Sequence, residues 1–156
     1  MRIDRAKLER VLLNLASNAR AALDGGPAPA RFQISTRRVF IDRNGREAGE
    51  PACDSIPGLR EGEHLRLTAR DNGCGMQPAL TGRIFEPFFT TREKVGGTGL
   101  GLATIAEVVR KSQGGIRVES APGEGTAFHL YFPLATSASA DSPAATPRLD
   151  SRPARV

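Results

Sequence analysis

Between Asp4 and Leu23, apolar residues recur at Leu8, Val11, Leu12, Leu15, Ala19 and Ala22. That three-and-four spacing gathers them on one face of a helix. Asp4 is placed to cap its first turn, and Gly25, Gly26 and Pro27 end it. The period then changes. Phe32, Ile34, Val39 and Phe40 predict a strand within Arg31 to Ile41, and Asp42 to Arg60, rich in glycine, proline and charge, predicts a loop. Leu65, Leu67 and Ala69 share one face of a second strand from His64 to Arg70. This strand runs directly into Asp71-Asn72-Gly73-Cys74-Gly75-Met76.

Pro78 to Lys94 mixes short helical signals with Ile84-Phe85-Glu86-Pro87-Phe88-Phe89-Thr90-Thr91, and the glycines of Gly96-Gly97-Thr98-Gly99-Leu100-Gly101 follow. Leu102, Ile105, Val108 and Val109 then predict a second amphipathic helix that stops near Gly114 and Gly115. Ile116 to Ser120 and Thr126 to Pro133 read as strands joined into a hairpin by Pro122-Gly123-Glu124-Gly125. From Ala135 to Val156 the chain offers almost nothing to bury, which predicts a disordered tail or linker after a domain spanning residues 1–134.

Composition changes this picture little. A chain of 156 residues with 39% hydrophobic content suits one compact domain. The net charge of +5 raises the question of nucleic acid. Its basic residues are scattered singly or in pairs such as Arg37 and Arg38, however, and aromatics for base stacking make up only 5%, so no nucleic-acid partner is expected and the charge reads as solvated surface. Cys53 and Cys74 have no metal-ligand spacing and read as reduced thiols. No apolar run reaches membrane-spanning length, and Met1 to Arg10 is too charged for a secretory signal. A cytoplasmic location is the expectation, with any membrane attachment supplied by a parent protein.

Three constellations carry chemistry. Gly97-Thr98-Gly99-Leu100-Gly101 offers backbone N–H groups at the mouth of a helix, where a phosphate is favoured; equally, such glycines form a flexible turn. No Gly-Lys-Ser/Thr follows them, which excludes a P-loop. Asp71 ends a strand before glycines at 73 and 75, so its carboxylate can accept from an amino group on a flat ligand, or it can simply belong to an Asp-Asn-Gly turn. Asn14 and Asn18 share a helix face four residues apart, either as amides holding a loop or as an oxygen donor to a hard cation.

In this order the elements resemble the catalytic ATP-binding domain of sensor histidine kinases, members of the GHKL superfamily with the Bergerat fold. Leu13-Asn14-Leu15-Ala16-Ser17-Asn18-Ala19 is similar to the family's N box, Asp71-Asn72-Gly73-Cys74-Gly75 to its first glycine box, and Phe85-Glu86-Pro87-Phe88-Phe89 to its F box. Gly97-Thr98-Gly99-Leu100-Gly101-Leu102 resembles the second glycine box, and Gly123-Glu124-Gly125-Thr126 the final glycine motif. Five motifs in sequence over residues 3 to 134 make the resemblance specific.

The resemblance implies an α+β fold: a two-layer sandwich with a mixed, mostly antiparallel sheet and helices on one face. The strands that precede the N box in the family are expected to be missing. It implies ATP and Mg²⁺ as ligands. Asp71 would accept the adenine amino group with Thr126 nearby, and Gly73 and Gly75 would give the base room. Asn18 would hold Mg²⁺, and Gly97, Thr98, Gly99, Leu100 and Gly101 would cradle the phosphates. Residues 77–96 would form a lid anchored by Phe85, Phe88 and Phe89, from which Arg92 or Lys94 reaches the phosphates. Hydrolysing relatives carry a glutamate where this chain has Asn14, and an amide is a poor general base, so transfer to histidine is favoured over hydrolysis. The acceptor would lie on a separate dimerisation domain, with a response regulator as the indirect partner, because His64 and His129 fall on predicted strands and read as structural. A regulatory scaffold that binds nucleotide without transfer, and a serine kinase of the anti-sigma type, share the same implied fold.

Overall fold

The computed structural model describes residues 4–24, 26, 28–50, 54–90 and 98–134. Helix α1 (Arg5–Leu23) starts where Asp4 Oδ1 accepts the Ala6 N–H at 2.9 Å, the expected cap for one of the first turn's unpaired donors. There follow β1 (Phe32–Ile41), β2 (Gly62–Asp71), the single turn α2 (Pro78–Thr81), α3 (Gly101–Lys111), β3 (Gly115–Ala121) and β4 (Gly125–Pro133). The strands form one sheet in the order β1-β2-β4-β3. The architecture is the expected α+β arrangement, and among the described residues all three strand pairs are antiparallel.

Both long helices lie on one face of this sheet. Val11 and Leu15 of α1 and Ile105, Val108 and Val109 of α3 close the main core against Leu67 and Ala69 of β2 and Phe128, Leu130 and Phe132 of β4. The positions on α1, α3 and β2 are those that the helical and alternating periods select; β4 is buried along nearly its whole length and carries no such alternation. Directly opposed residues share a face. The register sets Asp71 opposite Thr126, and Thr126 opposite Ser120, so three polar side chains form one row across β2, β4 and β3 at the end of the helix-covered face.

The other face is covered by the segment between β1 and β2. Its first turn is held by Asp42 Oδ1, which accepts from Asn44 N at 2.8 Å and Arg46 N at 2.9 Å. Ile56 and Leu59 then pack with Val39, Ile41 and Tyr131 in a second, smaller core. Glu47, only 4% exposed, accepts from Arg66 at 2.7 and 2.8 Å and from the Tyr131 hydroxyl at 2.9 Å. Burial works against the Arg66 charge, but Glu47 outweighs it and holds the guanidinium above its ordinary range. Burial, with Glu47 reinforcing it, pushes the Tyr131 hydroxyl well up. Charge patterning reads these residues as solvated surface; the structure corrects this for Glu47 and Arg66, because a loop closes over them.

His64 and His129 are both buried strand residues. His129 Nδ1 lies 3.0 Å from Thr68 Oγ1, and its Nε2 lies 3.5 Å from Glu119, close enough for charge to act but too long for a good hydrogen bond. Burial, only partly opposed by Glu119, lowers the imidazole pKa. Among the described residues no helix is long and apolar enough to cross a membrane. The predicted tail, Ala135 to Val156, lies outside the described residues, as does Cys53.

Candidate functional site

Three loops meet one stripe of α1. Asn14, Asn18 and Ala22 stand at successive i, i+4 steps on the same side of the helix. At one end, Asn14 Nδ2 donates to the Gly101 carbonyl oxygen at 3.2 Å, which fixes the first residue of α3 against α1. At the other, the Ala22 carbonyl, left unpaired by the end of the helix, accepts the Cys74 N–H at 3.0 Å. Asn18 lies between these contacts. Its Nδ2 is buried and has no hydrogen-bond partner among the described residues.

The loop after β2 is built around Asp71, 6% exposed, whose Oδ1 accepts the Gly73 N–H at 2.9 Å. Asn72 turns the other way and secures the start of β1, accepting from Arg31 N at 2.7 Å and donating to the Pro29 carbonyl at 3.0 Å. The loop is stitched to the β3–β4 turn by Gly123 N–H to the Cys74 carbonyl at 2.8 Å and Met76 N–H to Ser120 Oγ at 2.9 Å. Cys74 itself is a free, exposed thiol.

The glycines here have a different reason from the one expected. A Cβ on Gly73 would stand 2.5 Å from the Ala22 carbonyl oxygen, and one on Gly75, at φ +65°, would strike the backbone of Ala121. They let the chain pack closely on α1 and on β3, a demand for glycine that the protein itself makes at both positions. Gly99, also at φ +65°, likewise presses on the Phe88 backbone, and the Phe88 N–H donates to its carbonyl at 3.1 Å. Gly101 faces the Asn14 side chain at ordinary contact distance.

Helix α3 opens at Leu100 without a side-chain cap, so the N–H groups of its first turn have no such partner. Leu100 is 42% exposed and Thr98 is exposed beside it. In the segment from Gln77 to Thr90, Phe85 and Phe89 pack on the main core with Met76 and Leu80, and Arg83 lies over the Phe89 ring at 4.6 Å. Phe88 does not join them. It is 73% exposed at φ 65°, so the expected three-phenylalanine anchor is two phenylalanines, the third turned outward by its backbone. Arg92, Lys94 and Gly97 lie outside the described residues.

The structure thus lines Asn14 and Asn18 along one stripe of α1, with Gly101 against Asn14 at one end of it and Gly73 against Ala22 at the other; Asp71 and Thr126 share the polar row, Gly75 packs on Ala121 and Gly99 on Phe88. It adds two residues that sequence reasoning passed over, Ala22 and Ser120. Alanine at a helix end carries no signal, and Ser120 gains meaning only once the register sets it beside Thr126.

The family described as histidine kinase-, DNA gyrase B-, and HSP90-like ATPase matches residues 3–136. Over 134 residues the chain is 40% identical to the two-component sensor PprA of Pseudomonas aeruginosa, covering 86% of this chain and 12% of that protein. Over 131 residues it is 36% identical to the signal transduction histidine-protein kinase AtoS of Escherichia coli, covering 84% and 17% respectively. The chain therefore spans less than a fifth of these curated relatives. Among solved structures, the mycobacterial sensor histidine kinase MprB aligns with a TM-score of 0.56 at 30% identity, over 83% of this chain and 72% of that one. Full-length ShkA, solved in complex with AMPPNP, aligns with a TM-score of 0.56 at 27% identity, over 85% of this chain and 22% of that one.

Proposed function

The chain belongs to the histidine kinase-, DNA gyrase B- and HSP90-like ATPase family, and on that premise we propose that it binds ATP with Mg²⁺ and presents the γ-phosphate to a histidine on a separate dimerisation and phosphoacceptor domain. The observation that carries this reading is the α1 stripe, which sets Asn18 between the Asp71 loop and the mouth of α3. Base, cation and phosphate binding need those three features within the length of one nucleotide.

In this reading Asp71 accepts the amino group of adenine through the oxygen that Gly73 leaves free. The uncapped N–H groups of α3 face the phosphates. Mg²⁺ fits the donor set present: Asn18 Nδ2 is buried without a hydrogen-bond partner among the described residues, an amide that no protein contact orients and whose oxygen is the atom a hard cation takes, and among those residues no group of three His, Cys, Asp or Glu could hold a metal alone. A single amide oxygen suits an ion that arrives carried by phosphates. When bound, Mg²⁺ neutralises phosphate charge. Asn14 is a positioning residue, since its amide is committed to Gly101 and takes no proton from water. Catalysis by this chain is then orientation and electrostatic stabilisation of the transferred group. The partners follow from that chemistry: an acceptor domain bearing histidine, and a response regulator that receives the phosphate from it.

The test is to mix the chain with a purified dimerisation domain from a histidine kinase and labelled ATP. Acid-labile label on the acceptor is the expected result. ATP binding without any transfer would favour a regulatory scaffold, and acid-stable label on a partner protein would favour a serine kinase.

A further inference from the structure

Ser120 ties the loop after β2 to the β3–β4 turn at the base end of the site. Its Oγ accepts the Met76 N–H at 2.9 Å, donates to the Gly125 carbonyl at 2.9 Å and lies 3.0 Å from Thr126 Oγ1. A serine hydroxyl has one proton and two lone pairs. The Gly125 carbonyl can only accept, so it takes the Ser120 proton. The Met76 N–H can only donate, so it fills one lone pair. The last lone pair receives the Thr126 proton.

Thr126 is consequently left with nothing to donate. It is 5% exposed, next in register to Asp71, whose Oδ1 is already engaged by Gly73. Two neighbouring side chains on one row therefore present acceptors alone. The geometry points to Ser120 as a positioning residue that sets base specificity: by consuming the Thr126 proton it makes the base end of the site an acceptor-only edge. Such an edge favours a base offering an amino group at that point and rejects one offering a carbonyl, whose oxygen would face the Asp71 carboxylate and the Thr126 lone pairs. This rests on the nucleotide reading above and adds to it the residue that orients the hydroxyl.

Ser120→Ala releases the Thr126 proton, which can then donate to a base carbonyl. Competition of ATP and GTP against a fluorescent ATP analogue on the intact chain reads the effect. The preference for ATP over GTP is expected to shrink about tenfold, the equivalent of one hydrogen bond to a buried acceptor, and Ser120→Thr to restore it. On a Thr126→Val background, which keeps the shape without the hydroxyl, Ser120→Ala is expected to leave the preference unchanged. If both nucleotides weaken equally in Ser120→Ala, or if its effect persists undiminished in Thr126→Val, Ser120 merely holds the loop and the inference is overturned. Should Ser120→Ala not fold, Ser120→Cys, a weak donor of similar size, carries the same comparison with the same outcomes. A parent chain that fails to bind ATP would overturn the nucleotide reading itself. A parent that prefers ATP and keeps that preference in Ser120→Ala would overturn this inference alone.

Discussion

Asn14 and Gly101 are 87 positions apart in sequence, and a single side-chain hydrogen bond of 3.2 Å joins them. It crosses from the middle of one helix to the first residue of another. A hydrophobic contact at this point would hold α1 and α3 together but leave the mouth of α3 free to rotate; a directional bond to a backbone carbonyl does not.

Asn14→Ala should therefore loosen the α3 mouth while the core remains packed. The loss of one partly buried hydrogen bond is worth about 1 kcal/mol, a fall in Tm of roughly 3 to 6 °C for a domain of this size. Nucleotide affinity should fall with it, measured by titration well below the melting temperature. An unchanged Tm and affinity would show the bond to be incidental.

Asp71→Ala should weaken ATP binding at least about tenfold, because a charge-assisted hydrogen bond is worth roughly 1.5 to 3 kcal/mol. Asp71→Asn separates the two tasks of this side chain. Its amide oxygen still receives the Gly73 N–H, so the loop is kept while the charge that attracts the amino group is lost. Equal affinity in all three proteins would reject the adenine assignment.

Asn18→Ala removes an amide whose Nδ2 has no hydrogen-bond partner among the described residues, so stability should change by less than about 1 kcal/mol. ATP binding should lose its Mg²⁺ dependence, read by titrating nucleotide with and without the ion. Retained dependence would place the cation elsewhere.

Glu47→Ala should destabilise by about 3 to 5 kcal/mol, since it leaves Arg66 with only a 3.5 Å contact to the half-exposed Glu50 and the Tyr131 hydroxyl without its acceptor beneath a closed loop. Tyr131→Phe should cost less, about 1.5 to 3 kcal/mol, because Glu47 keeps Arg66. Urea denaturation resolves both. A Glu47→Ala variant as stable as its parent would mean that the loop lifts and water replaces the pair.

His129 predicts a pH dependence. Its folded-state pKa lies below the ordinary 6.5, chiefly through burial. In the window between that lowered value and 6.5 the unfolded chain binds more protons, so stability rises with pH there and is lost progressively as pH falls through it. Above 6.5 the imidazole is neutral in both states and contributes no slope. Urea midpoints from pH 7.5 down to 5 should show the decline, and His129→Gln should flatten it; an identical slope in the variant would assign it to other groups.

Most of the fold is legible in the chain because its elements are locally determined. The 3.6-residue period of α1 and the alternation in β2 each name the residues that enter the core, and Asp4 announces where a helix begins. The candidate site is legible through Asn14, Asn18 and Asp71, which are polar residues in settings that ask for a partner. What escapes is whatever depends on which segments become neighbours. Glu47 is one charge among many until the β1–β2 loop folds over Arg66. Phe88 looks like Phe85 and Phe89 until its backbone turns it outward. Gly73 and Gly75 read as space for a ligand, and the sequence does not show that close packing on Ala22 and Ala121 requires glycine there as well.

The contacts that α1 makes through Asn14 and through Ala22 lie eight residues apart on an unbroken helix, an interval of about 12 Å at 1.5 Å per residue. A rigid rod, not a loop, therefore gauges the separation of the two ends of the cleft. Insertions in the connecting segments can leave that gauge untouched. Deleting one residue between Asn14 and Ala22 would shorten it and swing one end through about 100° relative to the other, so both ends could not be engaged at once.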